Sequence, residues 1–374
     1  MQITAAVARQ KGSPLSIETL ELDQPRANEI LVQIVAVGVC HTDISMRNGN
    51  YPVPFPIVLG HEGAGIVVQT GEGITKVAPG DHVTLSYATD GTCLQCEKGY
   101  WSSCQQFYPL NFGGSRPDGS KTLRQNGTPV SGNFFGQSSF ATYALVSERN
   151  VVKLPKTVPL ELVGPLGCGI GTGAGAVLNS LKPVIGSSIA IFGCGAVGLS
   201  AVMAAKVASC GTIVAIDTDA NRLALARELG ATHGFNPVHE NVVEHLQAMG
   251  GMDYSLEITG IPSVFRQAVE VLKVPGTCGS IGGAPFGTDV CLDMGTILFG
   301  RTVRGIIMGD SIPDVFIPQL IALYNQGRFP FDRLITFYPF DQINQAIEDM
   351  LAKRAIKPVL RLQPAVSAQP QAAA

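Results

Sequence analysis

Apolar and polar residues alternate in short runs through the first 160 residues, the period of strands with one buried face. MQITAAVARQKG reads as a first strand, and EILVQIVAVGVC (29–40) alternates before turning wholly apolar. YPVPFPIVLG, GIVVQTG, DHVTLSY and ATYALV follow, each bounded by Gly, Pro, Asp or Ser. The pattern predicts a compact, β-rich, barrel-like domain with long loops. Residues 105–137 are rich in Gly, Asn and Ser and show no period, so they are expected to form an extended loop.

From about residue 170 the period lengthens. SSIAIFG predicts a buried strand, AVGLSAVMAAKVAS a helix, TIVAID a strand, and ANRLALARELG a helix closed by glycine. YSLEIT, PSVFRQAVEVLK and GTCGSIGG continue the alternation. Strands alternating with helices imply an α/β fold, a parallel sheet doubly wound by helices. FIPQLIALYNQG and DQINQAIEDMLAK predict two further helices, and KPVLRL a last strand that returns to the first domain. The expected division is 170–308 for the parallel-sheet domain, with 1–169 and 309–374 forming the β-rich one. The tail AVSAQPQAAA has no core-forming pattern and is expected to be disordered.

Composition narrows the class. With 374 residues and 45% hydrophobic content, the chain can bury a full core without staples. A net charge of -3 and no basic block give nucleic acid or an anionic membrane nothing to bind. The most apolar run, 189–205, has the length of a short membrane span. Its glycines and its strand–turn–helix pattern make it a core segment instead. The N-terminus lacks the features of a signal peptide, so the expected location is cytoplasmic. Nine cysteines in a chain of this length point to metal rather than to disulfides. Cys194, Cys210, Cys278 and Cys291 lie in apolar contexts and are expected to be small core residues.

GCGAVG (193–198) follows a predicted strand and opens a helix, the context a dinucleotide loop requires. Gly193 permits the turn, Gly195 lets backbone approach a pyrophosphate, and Gly198 lets helix and strand pack closely. The helix N-terminus offers free N–H groups to the phosphates. Asp217 ends the next strand, where a carboxylate can bind the adenosine ribose and repel a 2′-phosphate. That favours NAD over NADP. Arg222 is either a second contact to that ribose or a solvated helix charge.

Cys40 in GVCHTD, His61 in GHEGAGIVVQTGEGI and Cys168 in PLGCGIGTGAGA are candidate metal ligands. Two thiolates and an imidazole suit zinc and leave its fourth position open, as catalysis needs. Taken singly, a cysteine at a strand end is more often core than ligand. The run Gly60-His61-Glu62-x2-Gly65-x5-Gly71-x2-Ile74 resembles the zinc signature of the medium-chain alcohol dehydrogenase family. The similarity extends from the first strand to KPVL.

The resemblance implies a GroES-like catalytic domain beside a Rossmann domain, with Cys40, His61 and Cys168 as catalytic zinc ligands. Asp43 would orient His61, and Glu62 would sit behind the metal and exchange with a ligand. Thr42 would take the alcohol proton and His41 would meet the pyrophosphate. Zinc would act as Lewis acid on a primary alcohol that passes a hydride to nicotinamide. Several family members carry a histidine where this chain has Ser45, which leaves water or His41 as the final proton acceptor.

The family's structural zinc loop reads C-x2-C-x2-C-x7-C, and here the stretch is D-x2-C-x2-C-x7-C. Cys93, Cys96 and Cys104 match its last three ligands. Asp90 holds the first place and can supply a carboxylate oxygen to zinc. The alternative is a loop that has lost its metal. GPLGCGIGTGAGA, PLNFGG, FFGQSSFATYA and the closing FPFDRLI…YPFDQINQAI…IKPVL resemble the benzyl-alcohol and geraniol dehydrogenases of the family. They imply a primary alcohol next to an aromatic ring or double bond. Tyr87, Phe107, Tyr108, Phe112, Phe134 and Phe135 are candidates to line an apolar slot, with core packing the competing role.

Two other readings stand beside this one. A glutathione-linked formaldehyde dehydrogenase would need pocket cations, and these loops are poor in Arg and Lys. A non-catalytic NAD-binding relative would have no reason to keep Cys40, His61, Cys168 and Thr42 together. By resemblance, a dimer or tetramer forms through the sheet edge near residues 276–309.

Overall fold

The computed structural model describes residues 1–362; the tail expected to be disordered, 365–374, lies outside them. Three sheets organise the chain. A five-stranded sheet runs Ile57–Val58, Gln2–Ala8, Ser16–Leu22, Leu123–Gln125, Thr128–Val130. A seven-stranded sheet is built around Glu29–Gly38, which pairs with Gly63–Thr70, Tyr143–Ser147 and Lys357–Arg361. The third sheet has six parallel strands in the order His233–Phe235, Thr212–Ile216, Ser188–Phe192, Met252–Glu257, Leu272–Ser280, Arg301–Gly305. In sequence order that is 3-2-1-4-5-6, the doubly wound arrangement that leaves a crevice where the order reverses.

The central strands Ser188–Phe192 and Thr212–Ile216 read as continuous apolar runs because both faces are covered. Ser188–Phe192 is buried at every position. The apolar run 189–205 divides into that strand and the helix Ala196–Val207. Among the described residues no single helix is long and apolar enough to cross a membrane. One bent pair, Leu160–Gly167 with Gly169–Leu181, meets the length and composition, but most of its residues are buried in the protein.

That pair was not foreseen from the sequence, and glycine explains why it forms. The helix Gly169–Gly175 lies so close to Ala196–Val207 that a Cβ on Gly173 would sit 2.0 Å from the Val197 carbonyl oxygen. Poor helix propensity is overridden by a backbone-to-backbone contact that only glycine permits.

Lys357–Arg361 does return to the first sheet, Val359 opposite Gly38 and Leu360 opposite Val37. This places Lys357 beneath the candidate metal site.

Two expectations need correction. Residues 105–137 are not an open loop. They hold the helix Phe107–Phe112 and the paired strands Leu123–Gln125 and Thr128–Val130. The segment is pinned by Arg116, whose side chain is 4% exposed and lies 2.8 Å from Asp23 and 2.6 Å from Glu29. A long-range ion pair leaves no periodic trace in the sequence. Cys291, expected in the core, is exposed. Its apolar neighbours Met294, Leu298 and Phe299 are themselves at the surface. Cys194 and Cys278 are buried, and Cys210 is half-buried.

Arg116→Ala leaves Asp23 and Glu29 without their buried partner, so it should lower the unfolding free energy by about 3 kcal/mol. Denaturant titration checks this, and an unchanged midpoint would mean that the aromatic residues alone hold the segment.

Candidate metal centres and cofactor cleft

Cys40 follows the strand Glu29–Gly38 and caps the helix His41–Arg47. In that cap the Cys40 N–H donates to Asp43 Oδ2 at 3.0 Å. The other oxygen of Asp43 accepts from the Gly60 N–H at 3.0 Å and faces His61 Nδ1 at 2.9 Å. One buried carboxylate therefore sets the helix start, the bend before His61, and the imidazole tautomer. With Nδ1 turned to Asp43, Nε2 is left buried and without a hydrogen-bond partner. A buried polar atom of that kind calls for a ligand.

The ligand atoms of Cys40, His61, Glu62 and Cys168 all lie within 4.8 Å of one another. Two thiols, an imidazole with a bare nitrogen and a carboxylate suit zinc. Without a metal these groups compete for protons, which a bound ion would displace. A hydrogen bond from Cys168 holds the Cys40 thiol well below its ordinary value, and the same bond holds Cys168 up. Burial pushes the His61 imidazole down, but the Asp43 carboxylate and Cys40 outweigh it and raise it to about 10.

Glu62 has a separate commitment. Its oxygens lie 2.9 and 3.0 Å from Lys357 Nζ, and the pair is 0% and 3% exposed. Lys357 also donates to the Val39 carbonyl, and the Gly169 N–H donates to Glu62. Burial raises the Glu62 carboxyl, and Lys357 opposes it. The sequence reading missed Lys357; its one available signal was a lysine inside the apolar strand KPVL. Thr42 Oγ1 lies 3.6 Å from Cys40 Sγ. His41 and Ser45 share its helix, His41 exposed and Ser45 half-buried.

All six aromatic residues singled out in the sequence fall into one connected cluster. Phe135 stacks on His61 with ring centres 4.4 Å apart and planes 23° apart. Phe134 meets the same imidazole edge-on at 5.4 Å. Tyr87 is buried and donates to the Ser311 carbonyl, whereas Tyr108 is exposed. Gln137, also missed, donates to the His61 carbonyl and accepts from the Gly63 N–H.

The glycine loop has the geometry its spacing predicts. Gly193 has φ +100°, and a Cβ on Gly198 would sit 1.8 Å from the Gly193 carbonyl oxygen. Above Gly195 the only atom that a Cβ would approach is Arg222 Nη1, at 4.0 Å. No side chain caps the helix Ala196–Val207, so its first N–H groups remain available. Arg222 Nε is buried and unpartnered beside this space. Asp217 accepts from the Cys194 N–H at 2.7 Å and from the Asp219 N–H at 2.9 Å. The carboxylate thus supports the glycine loop itself. Asp219 caps the next helix.

A second cluster unites Asp90, Cys93, Cys96 and Cys104, again with ligand atoms within 4.8 Å. Asp90 Oδ1 accepts from the N–H groups of Thr92 and Cys93. These bonds, that from Cys93 first, hold its carboxyl down at about 2. The loop is tied to the rest of the chain by Ser102, 3.2 Å from Asp310.

Comparison with known proteins agrees with both halves of this geometry. Residues 26–156 match the model of the alcohol dehydrogenase GroES-like domain, and 196–326 that of the zinc-binding dehydrogenases. The chain is 47% identical over 361 residues to a geraniol dehydrogenase of Castellaniella defragrans, covering 95% of this chain and 96% of that one. A solved zinc-binding-domain alcohol dehydrogenase protein from Burkholderia ambifaria superposes with TM-score 0.96 at 52% identity, covering 97% and 100% of the two chains. The benzyl alcohol dehydrogenase of Acinetobacter calcoaceticus does so with TM-score 0.94 at 44% identity and the same coverage. Likeness of this extent over nearly the whole length makes the chain a member, and an enzyme, of the zinc-dependent medium-chain alcohol dehydrogenase family.

Proposed function

We propose that this enzyme interconverts an aromatic or allylic primary alcohol, of the benzyl alcohol or geraniol type, and its aldehyde, with NAD as hydride acceptor. The observation that carries the reading is the bare, buried His61 Nε2, aimed among two thiols and walled by an aromatic cluster. The names of the two relatives with the same architecture support the substrate class. The wall's aromatic residues favour a flat apolar substrate, and their lack of cations speaks against a carboxylated thiol adduct.

In this reading Cys40, His61 and Cys168 would hold zinc, which would supply Lewis acidity at the alcohol oxygen, and the glycine loop would hold NAD as the hydride acceptor. Asp43 keeps the His61 proton on Nδ1 so that Nε2 stays a ligand. Thr42 receives the alcohol proton at Oγ1 and passes it to water or to His41, since Ser45 cannot act as a base. Lys357 holds Glu62 behind the cluster. Gly193, Gly195 and Gly198, with His41 and Arg222, receive the pyrophosphate end of NAD. Asp217 meets the adenosine ribose. The aromatic wall keeps water from the reacting carbon.

The same proposal assigns 1–169 and 309–374 to the catalytic domain, 170–308 to the cofactor domain, and the cytoplasm as location. It includes self-association. Arg301–Gly305 is an edge strand with exposed Val303, beside exposed Met294, Leu298 and Phe299. An unpaired sheet edge beside exposed apolar residues favours pairing with a second copy.

Three measurements test the proposal. In NAD-linked assays run side by side, benzyl alcohol or geraniol should exceed ethanol in kcat/KM by about 100-fold or more, because several apolar groups each contribute about 1–3 kcal/mol. A win for ethanol would refute the aromatic slot. Elemental analysis should find two zinc ions per chain, falling to one in Asp90→Ala with a lower melting temperature. One zinc in the unaltered protein would mean that the Asp90 loop has lost its metal. Asp217→Ala should raise the NADP-to-NAD ratio of kcat/KM while weakening NAD itself, because the Cys194 N–H loses its acceptor. An unchanged ratio would move cofactor discrimination elsewhere.

A further inference from the structure

Phe135 occupies a backbone conformation that bulky residues rarely adopt. Its φ and ψ are 51° and 34°, in the left-handed region. Asn133, Gly136 and Ser138 around it also have positive φ. Strain of this kind persists only where the surroundings enforce it, and it concentrates at functional sites. Here the enforcement is visible. The Phe135 carbonyl accepts from Asn150 Nδ2 at 3.1 Å, and the Ser138 hydroxyl donates to the Val58 carbonyl at 2.6 Å. Gln137 spans to the His61 carbonyl at 3.0 Å and to the Gly63 N–H at 3.2 Å.

A substrate wall alone does not need this. An ordinary extended loop can present an apolar side chain to a pocket. What the strained turn achieves is a face-on contact between the Phe135 ring and the imidazole of His61. The bond from Nδ1 to Asp43 fixes one point of the imidazole. Coupled rotation about the two side-chain bonds can still tilt the ring, which would carry Nε2 away from Cys40 and Cys168. Phe135 closes one face to that tilt, and Phe134 stands against the ring edge-on. Gln137 holds the main chain on both sides of Glu62, so the root of the imidazole is fixed by the same turn.

We infer that Phe135 is a positioning residue for the metal ligand His61: its ring sets the imidazole plane, and the strained turn 133–138 exists to place it there. The inference rests on the reading of Cys40, His61 and Cys168 as a zinc cluster. It assigns Phe135 a task separate from any contact with the alcohol.

The test is the rate at which zinc passes from the intact enzyme to an excess of a chelating dye, followed for Phe135→Leu, Phe135→Tyr and Phe112→Leu. Phe112 belongs to the same aromatic cluster and makes no ring contact with His61. Loss of an outer partner of a metal ligand weakens metal binding by about 10–100-fold. Phe135→Leu should therefore release the Cys40/His61/Cys168 zinc at least about tenfold faster. Phe135→Tyr and Phe112→Leu should release it at the original rate, as should the second cluster in every variant. The cobalt-substituted Phe135→Leu protein should also show an altered ligand-field spectrum. Phe135→Met serves as the ring-deleting variant if leucine does not fold. An unchanged rate without the Phe135 ring overturns the inference. So does equal acceleration in Phe112→Leu or at both clusters, which would mean general loosening. An unaltered protein that takes up no zinc at the first cluster refutes the metal reading itself, and the inference with it.

Discussion

A buried imidazole with one nitrogen committed and the other bare is costly to maintain, and the fold around His61 is arranged to bear that cost. Asp43 is the pivot. Its two oxygens take the Cys40 N–H, the Gly60 N–H and His61 Nδ1, and it is 1% exposed. The groups it joins come from a helix cap, a turn and a strand entrance that are up to 21 residues apart in the chain. Helix capping in a surface helix is a matter of local stability. Here the same bond fixes where one candidate ligand begins and how another is turned, so local structure and site geometry cannot be separated.

Close backbone approach is the second requirement, and it accounts for glycines that no turn demands. A Cβ on Gly38 would meet Glu62 Oε2 at 2.0 Å, and one on Gly164 would meet the Glu62 carbonyl oxygen at 2.1 Å. The chain around Glu62 is packed from strand and helix sides at once. Cys168 gains its place from the same packing. It precedes the glycine-rich helix Gly169–Gly175, which leans on the helix Ala196–Val207 behind the dinucleotide loop. The position of one candidate ligand is thus set by the element that also carries the cofactor loop.

What the sequence made legible follows from how far each signal reaches. The parallel sheet and its helices were readable because period and glycine spacing are local. Cys93, Cys96 and Cys104 were readable because their spacing matches the ligand loop of the family that the chain resembles, and Asp90 takes the first place in that loop. Lys357, Gln137 and Arg116 were not readable, because their side chains act on residues at least 51 positions away. The helical pair at 160–181 was hidden by its own glycines, which propensity counts against a helix and packing requires. Cys291 misled because an apolar stretch at a sheet edge has the same composition as one in a core.

The Glu62–Lys357 pair shows why such distant partners matter to the chemistry. Glu62 lies close enough to Cys40, His61 and Cys168 to count as a fourth ligand, and a carboxylate there would close the position that a catalytic zinc must keep open. Lys357 and the Gly169 N–H take up its oxygens from the far side. Both ions are buried, and a buried pair of this kind is weak evidence for stability, since apolar residues of equal volume often do as well. Its worth lies in the charge account of the site. Two thiolates would balance a divalent cation, and Lys357 balances Glu62, so the carboxylate has a partner other than a metal. The last strand of the chain, by returning to pair with Glu29–Gly38, thereby bears on whether the first candidate ligands of the chain form a closed structural site or an open catalytic one.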